Sequence, residues 1–429
     1  MTRRWLLGVT LLGLGLPGCG QALPQALAVG GPGAQALGGL AAAGLFVKLE
    51  GEVSRAEATQ LFAAHHLRDA TDEKPLLAKL GWRWVRQTVP GTALAAARAR
   101  LAATPGVADA ALNEVVTLPE GEAARPFTPP AWHVAGHNDP LLGQSWAFRK
   151  LNLEAAHAIT MASPRTVVAI LDTGVDWDHP DLATAEGVSR VVKGRDTLRN
   201  TDNPRDGGGH GTHAAGIAAA TANNGRGMVG VAPRCRILAE KVVSDHGYGD
   251  IASVSAGIVH ATDQGAHVIS MSLGTPNPHP VVKDAVLYAQ RADAILVAAM
   301  GNSGHNDILY PAAFPGVIAV GATRDDDTRA SFSSFGDWIS VAAPGHNILA
   351  TVPTFASEYP VRDYGWMSGT SMATPHVAGL AALVKDAHPQ WDAAAVKRRI
   401  EETAVPLGGS AFNAYFGHGR IDPARAVRP

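Results

Sequence analysis

Three short stretches carry side chains able to do chemistry together. The first is Asp172-Thr173-Gly174, where the apolar run Val167-Val168-Ala169-Ile170-Leu171 ends on a carboxylate. The second is Gly207-Gly208-Gly209-His210-Gly211-Thr212-His213, whose glycines lead an imidazole into an Ala-rich helical pattern. The third is Gly369-Thr370-Ser371-Met372-Ala373-Thr374-Pro375, followed by Val377, Leu380, Ala381 and Val384 at helical spacing. Ser371 therefore stands at a helix N-terminus, where free N–H groups and the helix dipole favour developing negative charge. Pro375 is expected within about the first turn, where a missing N–H costs little. Alone, Ser371 would read as an ordinary N-cap. With a carboxylate and an imidazole upstream, it reads as a nucleophile with its base and the group that orients the base.

Each stretch admits a second reading. Asp-Thr-Gly also suggests a two-carboxylate mechanism, but that requires a pair sharing one proton, and the chain has no second Asp-Thr-Gly or Asp-Ser-Gly. His210 and His213, at i and i+3, have the spacing of metal ligands. The segment contains no Glu and no obvious third ligand, so no catalytic metal is expected. His213 reads as a structural histidine on the buried side of its helix.

The elements that must hold these residues follow from periodicity. Strands are expected at Thr166 to Leu171, Arg236 to Val243, His267 to Ser272, Ala294 to Ala299 and Val317 to Gly321. Helices fit at 211–220, 250–264, 280–291, 371–385 and 392–402. Continuous apolar strands alternating with helices predict an α/β fold, a mostly parallel sheet covered on both faces. Ligands of such sheets bind beyond the carboxyl ends of the strands, where Asp172 falls.

The chain order Asp172, His210, Ser371 is that of one triad arrangement among several unrelated ones. With all three motifs in that order, residues 138–429 resemble the subtilisin-like peptidase domain of the subtilase family of serine proteases. The resemblance implies a serine endopeptidase working through an acyl-enzyme on Ser371. His210 would be general base and Asp172 its partner. Asn302, in Met300-Gly301-Asn302-Ser303-Gly304, matches the family's oxyanion-hole asparagine. Gly247-Tyr248-Gly249 and Ser272-Leu273-Gly274 match the two strands that clamp a substrate peptide by β-augmentation. Leu309 falls at the floor of the pocket for the residue before the scissile bond. A structural calcium ion is implied too, on Asp139, Asp181 and the loop carrying Asn224, Arg226 and Met228. Asn224 would give a side-chain oxygen, Arg226 and Met228 their carbonyls. Arg226 offers an alternative, a tethered cation in place of the metal. The family further implies a monomer acting on polypeptides and inhibited by its own propeptide.

The N-terminal part fits that picture. Arg3 and Arg4 precede an apolar run from Trp5 to Leu16, too short to span a bilayer comfortably, so residues 1–18 read as an export signal. Leu16-Pro17-Gly18-Cys19 resembles a bacterial lipoprotein box, with Cys19 as the lipidated residue. Plain secretion is the alternative, and either places the protein outside the cell or on its envelope. Residues 19–40 read as a linker. Residues 41–120 read as a small α+β unit with the size and element order of a propeptide. Its strands are Leu45–Leu49 and Trp82–Thr88, its helices run from Ser54 and Thr92, and Val107 to Leu118 is extended. Residues 121–137 form a Pro-rich joint. Lys+Arg at 36 against Asp+Glu at 38 gives no sign of a nucleic-acid partner, and two cysteines, Cys19 and Cys235, give no disulfide framework. Two rivals share the same motifs: a catalytically silent binding protein, and an enzyme dedicated to one precursor.

Overall fold

The computed structural model describes residues 44–88, 93–119 and 136–429. The export segment, Cys19, the 19–40 linker and most of the 121–137 joint lie outside the described residues.

Residues 44–112 build a four-stranded antiparallel sheet in the order β2-β3-β1-β4, from β1 (Leu45–Leu49), β2 (Leu67–Asp69), β3 (Trp82–Gln87) and β4 (Val107–Leu112). Helices α1 (Arg55–Ala63) and α2 (Leu94–Ala102) cover one face. Ser54 and Glu57 start α1 with the reciprocal bonds of a capping box. The other face carries Phe46, Trp82 and Trp84, which pack into the larger part of the molecule.

The extended run from Val107 does not continue as one strand. It breaks at Asn113 and Glu114 and resumes as β5 (Val115–Thr117), which pairs with β9 (Tyr248–Asp250) instead. The break has a tertiary cause. Asn113 donates to Asp250 Oδ2 at 3.0 Å and accepts from Ala252 N at 3.2 Å, at the start of helix α4 (Ile251–Asp263).

The larger part is organised by a seven-stranded parallel sheet. It uses β6 (Val167–Asp172), β7 (Val191–Asp196), β8 (Arg236–Lys241), β10 (Val268–Met271), β11 (Ile295–Ala299), β12 (Ile318–Thr323) and β13 (Val341–Pro344). Their order is β13-β12-β11-β10-β6-β8-β7. The pleat sorts the side chains of β6 between two cores. Val168 and Ile170 join the core of α3 (His210–Ala219) and α6 (Thr370–Ala387). Val167, Ala169 and Leu171 join the core of α4 and α5 (Pro280–Arg291), into which Phe46, Trp82 and Trp84 also pack. Helix α7 (Ala393–Thr403) and a hairpin, β14 (Ile348–Val352) with β15 (Asp363–Met367), complete the fold. The edge strands β7 and β13 were not anticipated by the periodicity, nor was the hairpin. One edge is broken by charges, Val-Val-Lys-Gly-Arg-Asp, and the other is a short run of small residues ending in proline, Val-Ala-Ala-Pro.

Candidate active site

Asp172 is the last residue of β6, a central strand, and is 1% exposed. His210 is the first residue of α3 and Ser371 the second of α6. The close approach of the first two depends on glycine. Gly209 holds φ at 99° immediately before His210, a left-handed conformation. A Cβ on Gly211 would meet the carbonyl oxygen of Gly174 at 2.0 Å.

His210 Nδ1 lies 2.8 and 2.9 Å from the two oxygens of Asp172. Burial pushes the imidazole down, but the charge and hydrogen bond of Asp172 outweigh it and hold His210 above its usual value of 6.5. On the far side of the ring, Nε2 is buried and has no partner among the described residues. Ser371 Oγ does not bond to it. The hydroxyl donates instead to the carbonyl of Ser272 at 3.4 Å.

Pro375 sits at the sixth position of α6, deeper than its expected place in about the first turn. Its missing N–H leaves the carbonyl of Ser371 without its helical donor. The hydroxyl of Ser272 fills that place at 2.8 Å. Ser371, being second in its helix, has a backbone N–H with no intrahelical acceptor.

Asn302 follows β11. Its Oδ1 accepts from both N and Oγ1 of Thr370 at 2.8 Å, which fixes the amide. Its Nδ2 donates to the carbonyl of Pro119 at 3.1 Å. The groove beside it therefore holds this chain's own peptide. Leu118 N donates to Gly247 O at 3.0 Å, while Val116 and Thr117 pair with Gly249 and Tyr248. On the other side, Thr117 and Gly274 exchange hydrogen bonds of 3.2 and 3.0 Å. Leu273 is fully buried. Leu309 packs against Gly274, where a Cβ would meet its Cγ at 2.4 Å. Next to Pro119, a cavity of about 280 Å³ opens between Gly301, Asn302 and Leu309.

Three supporting residues escaped sequence reasoning. Asp206 is wholly buried and accepts from Thr173 Oγ1 (2.7 Å), Gly208 N (2.9 Å), Gly209 N (2.7 Å), and N and Oγ1 of Thr212 (2.8 and 2.6 Å). It ties the loop after β6 to the loop before His210. Burial raises its carboxyl despite these donors. Lys241, buried opposite Asp172 on β8, donates to the carbonyl of Thr173 and to Asp245. Thr370 holds Asn302. The one visible clue was Asp206, four residues before His210.

His213 lies on the buried side of α3 and donates through Nε2 to the carbonyls of Ile348 and Gly365, both at 3.1 Å. Burial pushes its imidazole down to about 3.

The metal candidates meet at a different place. Asp139 accepts from Asn223 N at 2.9 Å and Asn224 N at 3.2 Å. Asp181 accepts from Asn224 Nδ2 at 2.8 Å and Met228 N at 3.0 Å. Burial, reinforced by the charge of Asp139, pushes Asp181 up to about 7. Two buried carboxylates fit a divalent cation by charge. The neutral groups fit less well, since Asn224 and Met228 turn N–H groups towards Asp181. The side-chain Oδ1 of Asn224 is taken by Arg226 N at 2.9 Å. Among the described residues, no three His, Cys, Asp or Glu side chains gather where an ion would sit. The exposed Arg226 guanidinium pairs with neither Asp139 nor Asp181, so the tethered-cation alternative has no contact behind it.

A model described as the subtilase family matches residues 163–419. Thermitase of Thermoactinomyces vulgaris is 41% identical over 292 residues, covering 68% of this chain and 99% of thermitase. A thermophilic serine proteinase of Bacillus sp. (strain AK1) is 42% identical over 269 residues, 63% of each chain. Among solved structures, fervidolysin from Fervidobacterium pennivorans, described as a keratinolytic enzyme related to subtilisin, is similar at a TM-score of 0.76 with 26% identity. That likeness covers 90% of this chain and 61% of fervidolysin, a larger share of this chain than residues 136–429 alone provide.

Proposed function

Because this chain belongs to the subtilase family of serine endopeptidases, we propose that it cuts polypeptides through Asp172, His210 and Ser371, and is exported as a zymogen that processes itself. The observation that carries this reading is the peptide in the groove. Thr117, Leu118 and Pro119 lie as a substrate would, with the carbonyl of Pro119 on Asn302 Nδ2.

The chemistry follows from the groups at hand. The hydroxyl of Ser371 turns to His210 Nε2, gives up its proton there and attacks the carbonyl carbon of the bound peptide. Asp172 holds the imidazole in the required tautomer and stabilises its charged form. The oxyanion sits between Asn302 Nδ2 and Ser371 N–H. Losing the corresponding asparagine in subtilisin, a relative, slows turnover by about 10²–10³. The imidazolium then protonates the departing amine, and water releases the acyl group from Ser371 by the same route. Gly247–Gly249 and Ser272–Gly274 supply main-chain bonds, and Leu309 closes the pocket for the residue before the cut.

Residues 41–120 serve in this reading as a propeptide that occupies the cleft until it is removed. Residues 1–18 direct export, and Cys19→Ala with detergent partitioning separates a lipid anchor from free secretion. Calcium, held by Asp139 and Asp181 with the Asn224 amide turned to offer its oxygen, would neutralise two buried charges. It would fasten the start of the peptidase domain to the loop after α3. A hundredfold excess over its dissociation constant stabilises the fold by about 2.7 kcal/mol. Superimposable melts in calcium and in chelator would remove the metal from this account.

The deciding experiment is Ser371→Ala. The variant is expected to fold, to lose peptide hydrolysis and fluorophosphonate labelling, and to keep residues 41–120 attached. Hydrolysis at a near-normal rate would overturn the assignment.

A further inference from the structure

Antiparallel strands alternate between residue pairs that exchange two hydrogen bonds and pairs that exchange none. Thr117 and Gly274 are an exchanging pair. Extending that register by two residues puts Pro119 opposite Ser272, at the next exchanging position. An ordinary residue at 119 would donate its N–H to the carbonyl of Ser272. Proline has none to give.

The unused acceptor has been taken by the nucleophile. Ser371 Oγ donates to the carbonyl of Ser272 at 3.4 Å, and His210 Nε2 is left buried without a partner among the described residues. The carbonyl of Pro119 meanwhile rests on Asn302 Nδ2 at 3.1 Å, so the segment lies in the position of a substrate. Fit to the pocket does not explain a proline there, since about 280 Å³ beside it remains open.

We infer that the bond on the carboxyl side of Pro119 is the one presented for self-cleavage, and that Pro119 slows its cutting by leaving Ser272 free to hold the Ser371 hydroxyl. This rests on the zymogen reading above. In the cut, the bond from Ser371 Oγ to the Pro119 carbonyl carbon forms and the C–N bond to residue 120 breaks. The hydroxyl proton passes through His210 Nε2 to the leaving nitrogen, and water then hydrolyses the ester. No oxidant or further reactant enters. The first proton transfer requires the Oγ–Nε2 hydrogen bond that this arrangement withholds. Each molecule must first break the Ser371–Ser272 contact, with no N–H from residue 119 to compete for the acceptor. A residue with an N–H would compete for the Ser272 carbonyl, weaken its hold on the hydroxyl and favour the bond to His210.

Two measurements test this. In the full-length chain, Pro119→Ala is expected to generate a new N-terminus at residue 120 at least tenfold faster than wild type, followed by mass spectrometry and N-terminal sequencing. On mature enzyme, the anilides of Val-Val-Thr-Leu-Pro and Val-Val-Thr-Leu-Ala are compared. The proline peptide is expected to bind within about tenfold of the alanine peptide, yet turn over at least a hundredfold more slowly. Equal turnover of the two peptides would overturn the proline effect, whatever happens in the full chain. A mature N-terminus elsewhere in both chains, with none at residue 120, would overturn the choice of bond. Should neither chain process itself while both hydrolyse peptides, the zymogen reading falls, and the peptide pair still decides the effect of proline.

Discussion

His210 and His213 stand three residues apart on one helix, yet they face opposite kinds of surroundings. His210 lies at the helix mouth against a carboxylate, which holds its imidazole above the usual value. His213 lies on the inner side among backbone carbonyls, and burial drives it down to about 3. The mouth is a place where a proton can be accepted and returned. On the inner side the ring is a neutral donor that fixes β14 and β15 to α3 through Ile348 and Gly365. Residue type is the same at both positions; the charge nearby and the access of water decide what each does.

Four substitutions or conditions sharpen that contrast. The largest effect is expected from His210→Ala, which should lower kcat/KM on a small peptide by roughly 10⁴–10⁶, the scale seen when a triad member is lost in subtilisin. Its melting temperature should change little, and an active variant would erase the distinction between the two histidines. Next, Asp172→Asn should cost about 10⁴ in kcat by supporting the wrong tautomer. Wild-type activity should rise with pH through a midpoint above 6.5, because burial is outweighed by the Asp172 charge. In Asp172→Asn that midpoint should move down, and an unmoved pH–rate profile would separate His210 from Asp172.

The third is a change in stability rather than rate. His213→Ala leaves two carbonyls unpaired and a void in the core, for a loss of about 2–4 kcal/mol in urea unfolding. Activity at 25 °C should stay within several-fold of wild type; a loss as deep as that of His210→Ala would contradict a structural role. The smallest effect concerns acid. His213 is neutral when folded but titrates near 6.5 when unfolded, so the unfolded chain takes up a proton that the folded chain refuses. Stability therefore falls as pH drops from 6.5 towards 3, by up to about 1.4 kcal/mol per unit for such a group. His376, which burial lowers to about 4, adds to the same slope down to that value. His213→Gln should flatten the acid slope by about one proton, measured as unfolding free energy between pH 6 and 4.

How much of this was legible beforehand depended on whether the cause was local. The central strands and α3 to α6 follow from apolar periodicity, and the Asp172, His210 and Ser371 motifs are contiguous in sequence. The break at Asn113 was not legible, because its cause is the distant helix start at Asp250 and Ala252. Edge strand β7 lacks the apolar run that marks a strand buried on both faces, and β13 is only a four-residue run ending in proline. Asp206 reads as part of a glycine-rich loop until its five donors are seen converging. The carbonyl of Pro119 could be assigned to the groove only after the register of Thr117 against Gly274 was known. Where a residue's partner lies far along the chain, pattern alone gives no warning of it.

The bond from the Ser272 hydroxyl to the Ser371 carbonyl reaches beyond helix capping. It rivets the strand beside the peptide to Ser371 at the head of α6, with one side chain as the pin. Moving Ser272–Gly274 out of line would move Ser371 with it, leaving little play between the strand and the helix start. Ser272→Ala would leave the two parts free to slide past each other by a fraction of an ångström. The tolerance of the groove is then set by the stiffness of that single joint rather than by the fit of any one side chain in its pocket.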